Sequence, residues 1–327
     1  MRGKFYLVSL LFISSHVFTQ PGLKVAHKQM IAEAISISNT SGNAVWPGFA
    51  DVPFTLLLLT DSAEYLFFHN HPGGAFIDVG FDSVLNTTIY SRPSQLSKSL
   101  LATYPAVNGI STIIVGTPEN TGKSPAAWII TLLHEHFHQY QQSMPSYYQR
   151  VQDLDLSKGD ETGMWMLNYS FPYDSAIVNR SYHEFSAKLS LTVRQPLNRR
   201  FHIQYRKFKT SHVALRKILR PDDYRYFQFQ VWQEGIARYT EYAILEHLLR
   251  NDTPIRKSPF YASYKNLLPS IENTELENLM ELSLPDVKRI HFYSAGFALG
   301  MLLDRVHPQW KKEYFSQPFS LDSFLKN

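Results

Sequence analysis

Residues 134–138 read His-Glu-His-Phe-His and contain the pattern H-E-x-x-H. On an α-helix, residues four positions apart lie on one face, so the imidazoles of His134 and His138 point to the same place. Two convergent imidazoles suit a zinc ion, and Glu135 directly follows the first of them, where its carboxylate can serve as a general base. The spacing therefore predicts a metal site capable of hydrolysis.

The same residues allow a different arrangement, because the three histidines also alternate. On a β-strand all three would share a face and could bind metal as H-x-H-x-H. A helix is favoured, since Ser124 is a good N-cap, Pro125 fits the first turn, and the apolar run before the histidines does not alternate. On a helix His136 lies roughly 200° from His134 and is not a ligand. The remaining alternative is that the histidines bind no metal, because H-E-x-x-H also occurs by chance.

The composition describes a globular chain of 327 residues, with 44% hydrophobic and 18% charged residues. The formal net charge is +4, and the Lys and Arg residues are interspersed with carboxylates and aromatic residues. We therefore expect no nucleic-acid partner. Residues Arg199, Arg200, Arg206 and Lys207 are interpreted as a solvated helix face. The chain has no cysteine, so the core and any bound metal must supply its stability without disulfides.

Residues 1–19 have the character of a secretory signal peptide. Arg2 and Lys4 form the positive segment, and residues 5–13 begin an apolar stretch too short to span a bilayer comfortably. Cleavage is expected before Gln20. The alternative is a buried N-terminal strand or helix. The prediction is a secreted or periplasmic protein with no lipid anchor, since cysteine is absent, and with no stable membrane insertion after signal cleavage.

The remaining pattern predicts strands first and helices later. After a short helix at residues 27–37, strands are expected at residues 54–59, 65–68 and 109–116, the last directly before the histidine helix. The middle third, residues 141–222, is aromatic-rich and irregular and then helical. No repeat or linker divides the chain, so we expect one catalytic unit with an insertion.

A catalytic zinc ion needs a third protein ligand and an open position. Glu234 is the first candidate, because Glu241 lies two helical turns further on and faces the same side, where it can hold a ligand histidine. Competing ligands are Glu161, His183 and Glu184. Alternatively, Glu234 and Glu241 are surface carboxylates of an amphipathic helix.

Three motifs together resemble the gluzincin zinc peptidases, specifically their aminopeptidase-N-like branch. They are His-Glu-x-x-His-Gln at residues 134–139, Glu-Gly-x-Ala-x-Tyr-x-Glu at residues 234–241, and Phe-Tyr-Ser-Ala-Gly at residues 292–296. The resemblance implies that Glu234 is the third ligand and that Tyr293 stabilises the tetrahedral intermediate, with His291 as a substitute. It also implies an α+β fold: a zincin-like two-lobed catalytic domain with a mixed sheet in the N-terminal lobe and a mainly helical C-terminal lobe.

The chain departs from that branch in several places. The interval from His138 to Glu234 is longer than usual, Ala295 replaces a lysine, and there is no room for the large N-terminal sandwich. The exopeptidase signature has only a loose counterpart in residues 116–120, Gly-Thr-Pro-Glu-Asn. The resemblance covers about residues 110–305, and the mode of cleavage, internal or terminal, stays open.

The sequence thus predicts a signal peptide at residues 1–19 and a single metallopeptidase domain at residues 20–327. Its expected parts are a zinc helix at about 125–142, an insertion at about 143–222, a third-ligand helix at about 224–249 and C-terminal helices at about 286–306. The predicted function is exported, Zn²⁺-dependent hydrolysis of a peptide or protein substrate. The strand around residues 110–115 is expected to line the cleft and pair with an extended peptide. The alternative is a non-catalytic, zinc-stabilised binding protein.

Overall fold

The computed structural model describes residues 23–251 and 254–325, and the predicted signal peptide lies outside these ranges. The fold is mixed, with every described strand before residue 117 and helices after it, so the α+β prediction is confirmed. The strands are β1 Leu56–Leu59, β2 Ala63–Phe67, β3 Ile77–Asp82, β4 Thr87–Pro93, β5 Leu101–Val107 and β6 Ile110–Gly116. The division into two lobes stays a prediction.

The α-helices are α1 Val25–Ile37, α2 Asn43–Val45, α3 Pro118–Thr121, α4 Pro125–Gln142, α5 Tyr147–Gln152, α6 Trp165–Asn168, α7 Ala176–Val193, α8 Arg199–Ile218, α9 Pro221–Gln230, α10 Ile236–Asn251, α11 Tyr261–Glu281, α12 Leu284–Val287 and α13 Ile290–Val306. Two π-helical turns, Ser38–Gly42 and Val231–Gly235, interrupt otherwise continuous helices. Short 3₁₀ helices occur at Phe49–Asp51, Pro254–Lys257, Tyr314–Ser316 and Asp322–Leu325.

The six strands form one mixed sheet in the order β3-β4-β2-β1-β6-β5. Strands β1 and β6 are parallel neighbours, and the other pairs are antiparallel. The edges of the sheet are therefore β3 and β5. The sequence-based expectation that residues 110–115 form a free edge is wrong, because β6 is paired on both sides and β5 lies outside it.

Helix α4 lies across one face of the sheet, and polar side chains fix its position there. The indole nitrogen of Trp128 donates to the carbonyl of Gly116 at 2.8 Å, at the end of β6. Further along, the Gln139 amide donates to the carbonyls of Thr55 and Ser111 at 2.9 and 2.8 Å. These bonds satisfy buried backbone acceptors, so they hold the helix at a defined height above the sheet.

The C-terminal helices meet at close backbone contacts that only glycine permits. An added Cβ on Gly235 would lie 2.5 Å from the Cα of Gly296, and one on Gly296 would lie 2.4 Å from the Cα of Gly235. Gly300 leaves the same kind of room for the ring of Tyr239. Helix α13 is thereby held directly against the π-turn at Val231–Gly235. Within the described ranges, no helix is both long and apolar enough to cross a membrane.

Candidate metal centre

The two histidines at the ends of the H-E-x-x-H pattern lie on helix α4 and face one point. The Oγ of Ser124 accepts from the amide of Ala127 at 3.3 Å and caps the helix, and Pro125 occupies its first turn. The rings of His134 and His138 are both buried, with centroids 4.9 Å apart. The three alternating histidines therefore do not share a face, as they would on a strand.

Glu234 completes a cluster with these histidines. Its Oε2 lies 3.9 Å from Nε2 of His134 and 3.6 Å from Nε2 of His138. Ligand atoms of the three side chains all lie within 4.8 Å of one another, so they are positioned to hold a metal ion. Glu234 belongs to the π-turn Val231–Gly235, and such turns widen a helix locally and recur at functional sites.

The far side of the His134 ring is held by a carboxylate. Its Nδ1 lies 2.7 Å from Oε1 of Glu241, and Nη1 of Arg238 donates to both oxygens of Glu241 at 2.9 Å. Because a carboxylate only accepts, Nδ1 carries a proton, and Nε2 is the nitrogen that faces the cluster and can bind a metal. Arg238 in turn lies 3.3 Å from Oε1 of Glu275. A series of charged side chains, from Glu241 through Arg238 to Glu275, thus fixes the position of the His134 ring.

Gln141 plays the corresponding role for His138. Its Nε2 donates to the carbonyls of Trp232 and Gln233 at 2.9 and 3.0 Å, which leaves Oε1 as the acceptor 2.8 Å from Nδ1 of His138. The Nε2 of Gln233 also lies 3.1 Å from that Nδ1, and a half-turn of this amide would present its oxygen instead. We assign the Nδ1–H tautomer from Gln141, because its orientation is fixed by two carbonyls.

The electrostatics of the cluster favour a cation. Burial lowers the pKa of His134, but the neighbouring carboxylates of Glu234 and Glu241 outweigh it and raise this pKa to about 9. For Glu234, burial raises the pKa, but the neighbouring His138 and His134 hold it well below its ordinary value. The carboxylates thus stabilise positive charge on the imidazoles, and a metal ion would supply that charge instead.

The carboxylate of Glu135 lies outside the ligand cluster and has a partner of its own. The hydroxyl of Thr103 is within hydrogen-bond distance of Glu135 at both Oε2, 2.8 Å, and the backbone carbonyl, 3.1 Å. Thr103 lies on the edge strand β5. The sheet edge therefore orients the side chain that the pattern predicts as the base.

Tyr293 lies beside the cluster. Its hydroxyl accepts from Nη1 of Arg289, one helical turn earlier. Burial and the charge of Glu234 raise the pKa of Tyr293, so the hydroxyl keeps its proton. His291, the predicted substitute, has its ring nitrogens 3.2 Å from the Tyr182 hydroxyl and 3.0 Å from the Leu282 carbonyl. It serves packing there instead.

The other histidines and carboxylates considered from the sequence lie elsewhere. His136 is enclosed by Phe49 and Phe54, and burial lowers its pKa to about 4. The three competing candidates for the third ligand are exposed, and none belongs to the metal-binding cluster among the described residues. They are Glu161, His183 and Glu184.

The loose exopeptidase counterpart at residues 116–120 is engaged in a different contact. The Oε1 of Glu119 lies 2.5 Å from Nζ of Lys24, and its Oε2 lies 3.1 Å from Nε2 of His27. Both carboxylate oxygens therefore bond to the N-terminal helix α1. This carboxylate has the role of a structural ion pair.

Three residues that shape the centre had no signal in the sequence. Thr103 precedes the H-E-x-x-H pattern by some thirty positions on a strand that was not predicted, and Gln141 is one of several glutamines after His138. Arg238 stands inside the second motif at a variable position. Each of the three acts through contacts with other side chains or backbone groups of the folded chain, and the hydrophobic periodicity of the sequence does not predict such contacts.

We expect Glu241→Gln to weaken metal binding without preventing folding. The amide keeps an acceptor for His134 but loses the charge that makes the imidazole a strong ligand, so affinity for zinc should fall about 10–100-fold. Competition with a fluorescent chelator measures this. Glu246→Gln, on the same helix but paired with Arg250, is the control and should bind zinc like the parent. Equal affinities in both variants would remove Glu241 from the centre.

No protein-family model, curated protein or solved structure matched this chain.

Proposed function

We propose that this chain is an exported zinc metallopeptidase of the gluzincin type that hydrolyses peptide bonds. The observation that carries the proposal is the carboxylate of Glu135, which follows a candidate ligand in the sequence, is not itself part of the ligand cluster, and is oriented by Thr103. A metal site that only stabilises the fold has no use for such a group. The proposed domain is residues 20–327, with two lobes on either side of the cluster.

The donor atoms fit zinc. Two imidazole nitrogens and one carboxylate oxygen, from His134, His138 and Glu234, are the three-ligand set of catalytic zinc sites, which leave a further position open. Structural zinc sites usually close the fourth position with a protein ligand. No fourth such residue joins the cluster among the described residues.

Bound at these ligands, zinc would supply Lewis acidity, which makes water more acidic and polarises a carbonyl. Glu135 then accepts the proton of the attacking water and passes it to the leaving nitrogen. Tyr293 is protonated and donates a hydrogen bond to the oxygen on which negative charge develops. Glu241 and Gln141 keep the two imidazoles in the tautomer that presents Nε2.

The peptide is proposed to lie along strand β5. This strand is an edge of the sheet, so it offers unpaired backbone groups to an extended chain, and its Thr103 contacts the base directly. A peptide that adds to this edge passes the carboxylate of Glu135. This replaces the sequence-based assignment to residues 110–115.

The alternative function is a non-catalytic extracytoplasmic binding protein stabilised by zinc. This binding protein would use the same three metal ligands, but it would not need Glu135 for any reaction. The two functions differ in one measurement, the cleavage of peptides.

The test is to incubate the purified mature protein with a diverse peptide library and analyse the products by mass spectrometry. We expect cleavage that is lost on dialysis against a chelator and restored by one equivalent of zinc. Removal of zinc should also lower the melting temperature, because metal binding is coupled to folding. Cleavage that persists in verified zinc-free protein would contradict the mechanism. Zinc binding with no cleavage across the library would favour the binding protein.

A further inference from the structure

Ten of the 32 Lys and Arg residues lie in one segment without carboxylates, a local excess that the sequence-based description of interspersed charges does not include. Residues 185–221 contain ten Lys and Arg residues and no Asp or Glu. The rest of the chain then has 22 Lys and Arg against 28 Asp and Glu, a net charge of −6 with His neutral. The net positive charge of the chain therefore comes from this segment, which includes helix α8.

Helix α8 is an outlying element with one face open to solvent. It packs mainly on α7, which in turn contacts α11 and α13. Its buried side is anchored at the C-terminal segment, where the hydroxyl of Tyr205 donates to the carbonyl of Leu325 at 3.1 Å and His212 lies 3.3 Å from Asp322. The opposite side carries the charge.

A single straight stripe runs along that open side. Successive members are spaced four and three residues apart, so at 100° per residue they deviate by no more than about 40° from one line. The stripe comprises Arg199, Ile203, Arg206, Thr210, Val213 and Lys217. It contains three cations and three polar or aliphatic side chains, and Val213 is 50% exposed. It extends about 27 Å along the helix axis.

The cations of the stripe have no ion-pair partner among the described residues. Arg199, Arg206 and Lys217 form no ion pair with any residue in the described ranges, whereas Arg216 and Arg220 nearby pair with carboxylates. Arg199 also lies in the first turn, where the helix dipole disfavours positive charge. Lys217 lies in the last turn, where the dipole favours a cation. Three cations without ion-pair partners along one open face suit an external anionic partner.

We propose that the stripe on α8 docks the protein on an anionic lipid surface. An exposed helix face fits a flat surface, and the interspersed aliphatic side chains suit the headgroup region better than a duplex groove. The net charge of −6 on the rest of the molecule is repelled by that surface, so α8 is presented to it.

The test is sedimentation of the purified mature protein with vesicles of equimolar phosphatidylcholine and phosphatidylglycerol. Binding is expected to these vesicles and not to pure phosphatidylcholine, and to decline as sodium chloride is raised, because salt screens exposed charges. The variant is Arg199→Gln, Arg206→Gln and Lys217→Gln combined. Each charge near such a surface is worth about a fivefold change in partitioning, so binding should fall about 100-fold.

A matched control removes the same charge elsewhere. Arg256→Gln, Lys257→Gln and Lys312→Gln together alter three exposed cations outside α8 and should bind vesicles nearly like the parent. Equal losses in the two triple variants would overturn the proposal, as would salt-independent binding of the parent. Tighter binding to a duplex oligonucleotide or to polyglutamate than to the anionic vesicles would also overturn it. The proposal does not depend on catalysis, so Glu135→Gln should bind vesicles unchanged.

Discussion

Replacing Glu135 by glutamine is expected to leave zinc bound and to abolish most peptide hydrolysis. Glutamine matches glutamate in shape and still accepts a hydrogen bond from Thr103, but it does not take up a proton at neutral pH. General-base catalysis contributes about 10²–10⁴-fold, so turnover should fall by that factor. Zinc content should stay near one equivalent, because the carboxylate lies outside the cluster. Peptide cleavage and metal analysis on the same preparation give both values.

Two further variants calibrate this result. Thr103→Val removes the hydroxyl that orients the Glu135 carboxylate, so we expect a loss of about tenfold in turnover with zinc unchanged, the size of one hydrogen bond to a charged group. Glu119→Gln alters a carboxylate bonded to Lys24 and His27 and should cleave like the parent. If Glu135→Gln cleaves as fast as the parent, the base is a different group. A loss in Glu119→Gln limited to peptides with a free amino terminus would give that carboxylate a binding role.

The histidine helix was predictable because its signals are local. Ser124 and Pro125 mark its beginning, and the apolar residues after them follow the helical period, so residues 134–138 are placed on a helix without tertiary information. The spacing of His134 and His138 then fixes which side chains converge. The order of the strands has no such local signal. The sequence pattern indicates a strand near residues 110–116. It does not indicate that β5 pairs on the outer side of this strand and becomes the edge of the sheet.

The position of Glu234 shows which part of the metal site helical spacing predicts and which part it does not. A seven-residue interval places Glu234 and Glu241 on one side of a regular helix, and both do engage His134. The π-turn at Val231–Gly235 adds a residue to one turn and shifts Glu234 relative to a regular helix. It is stabilised by the glycine contact with α13. Since that contact joins positions sixty residues apart, the sequence gives no sign of the π-turn.

Replacing Glu234 by glutamine is expected to remove the zinc-dependent part of the stability. The variant lacks the charged ligand, and an amide oxygen is a poorer ligand for a cation than a carboxylate oxygen. Zinc should therefore bind far more weakly. A site saturated a thousandfold above its dissociation constant stabilises the native state by about 4 kcal/mol, which corresponds to a rise of several degrees in melting temperature. In Glu234→Gln this rise should disappear. The zinc-free melting temperatures should stay close, because glutamine fills the same space.

The competing ligands provide the controls for this measurement. Glu161→Gln, His183→Gln and Glu184→Gln alter exposed side chains outside the cluster, and each should keep the full zinc-dependent rise. A calorimetric titration with zinc alongside the melting curves separates weak binding from a fold that is simply less stable. If Glu234→Gln keeps the rise and one of the three loses it, the third ligand is that residue. The π-turn would then need a different explanation, because its effect is to place Glu234 opposite the two imidazoles.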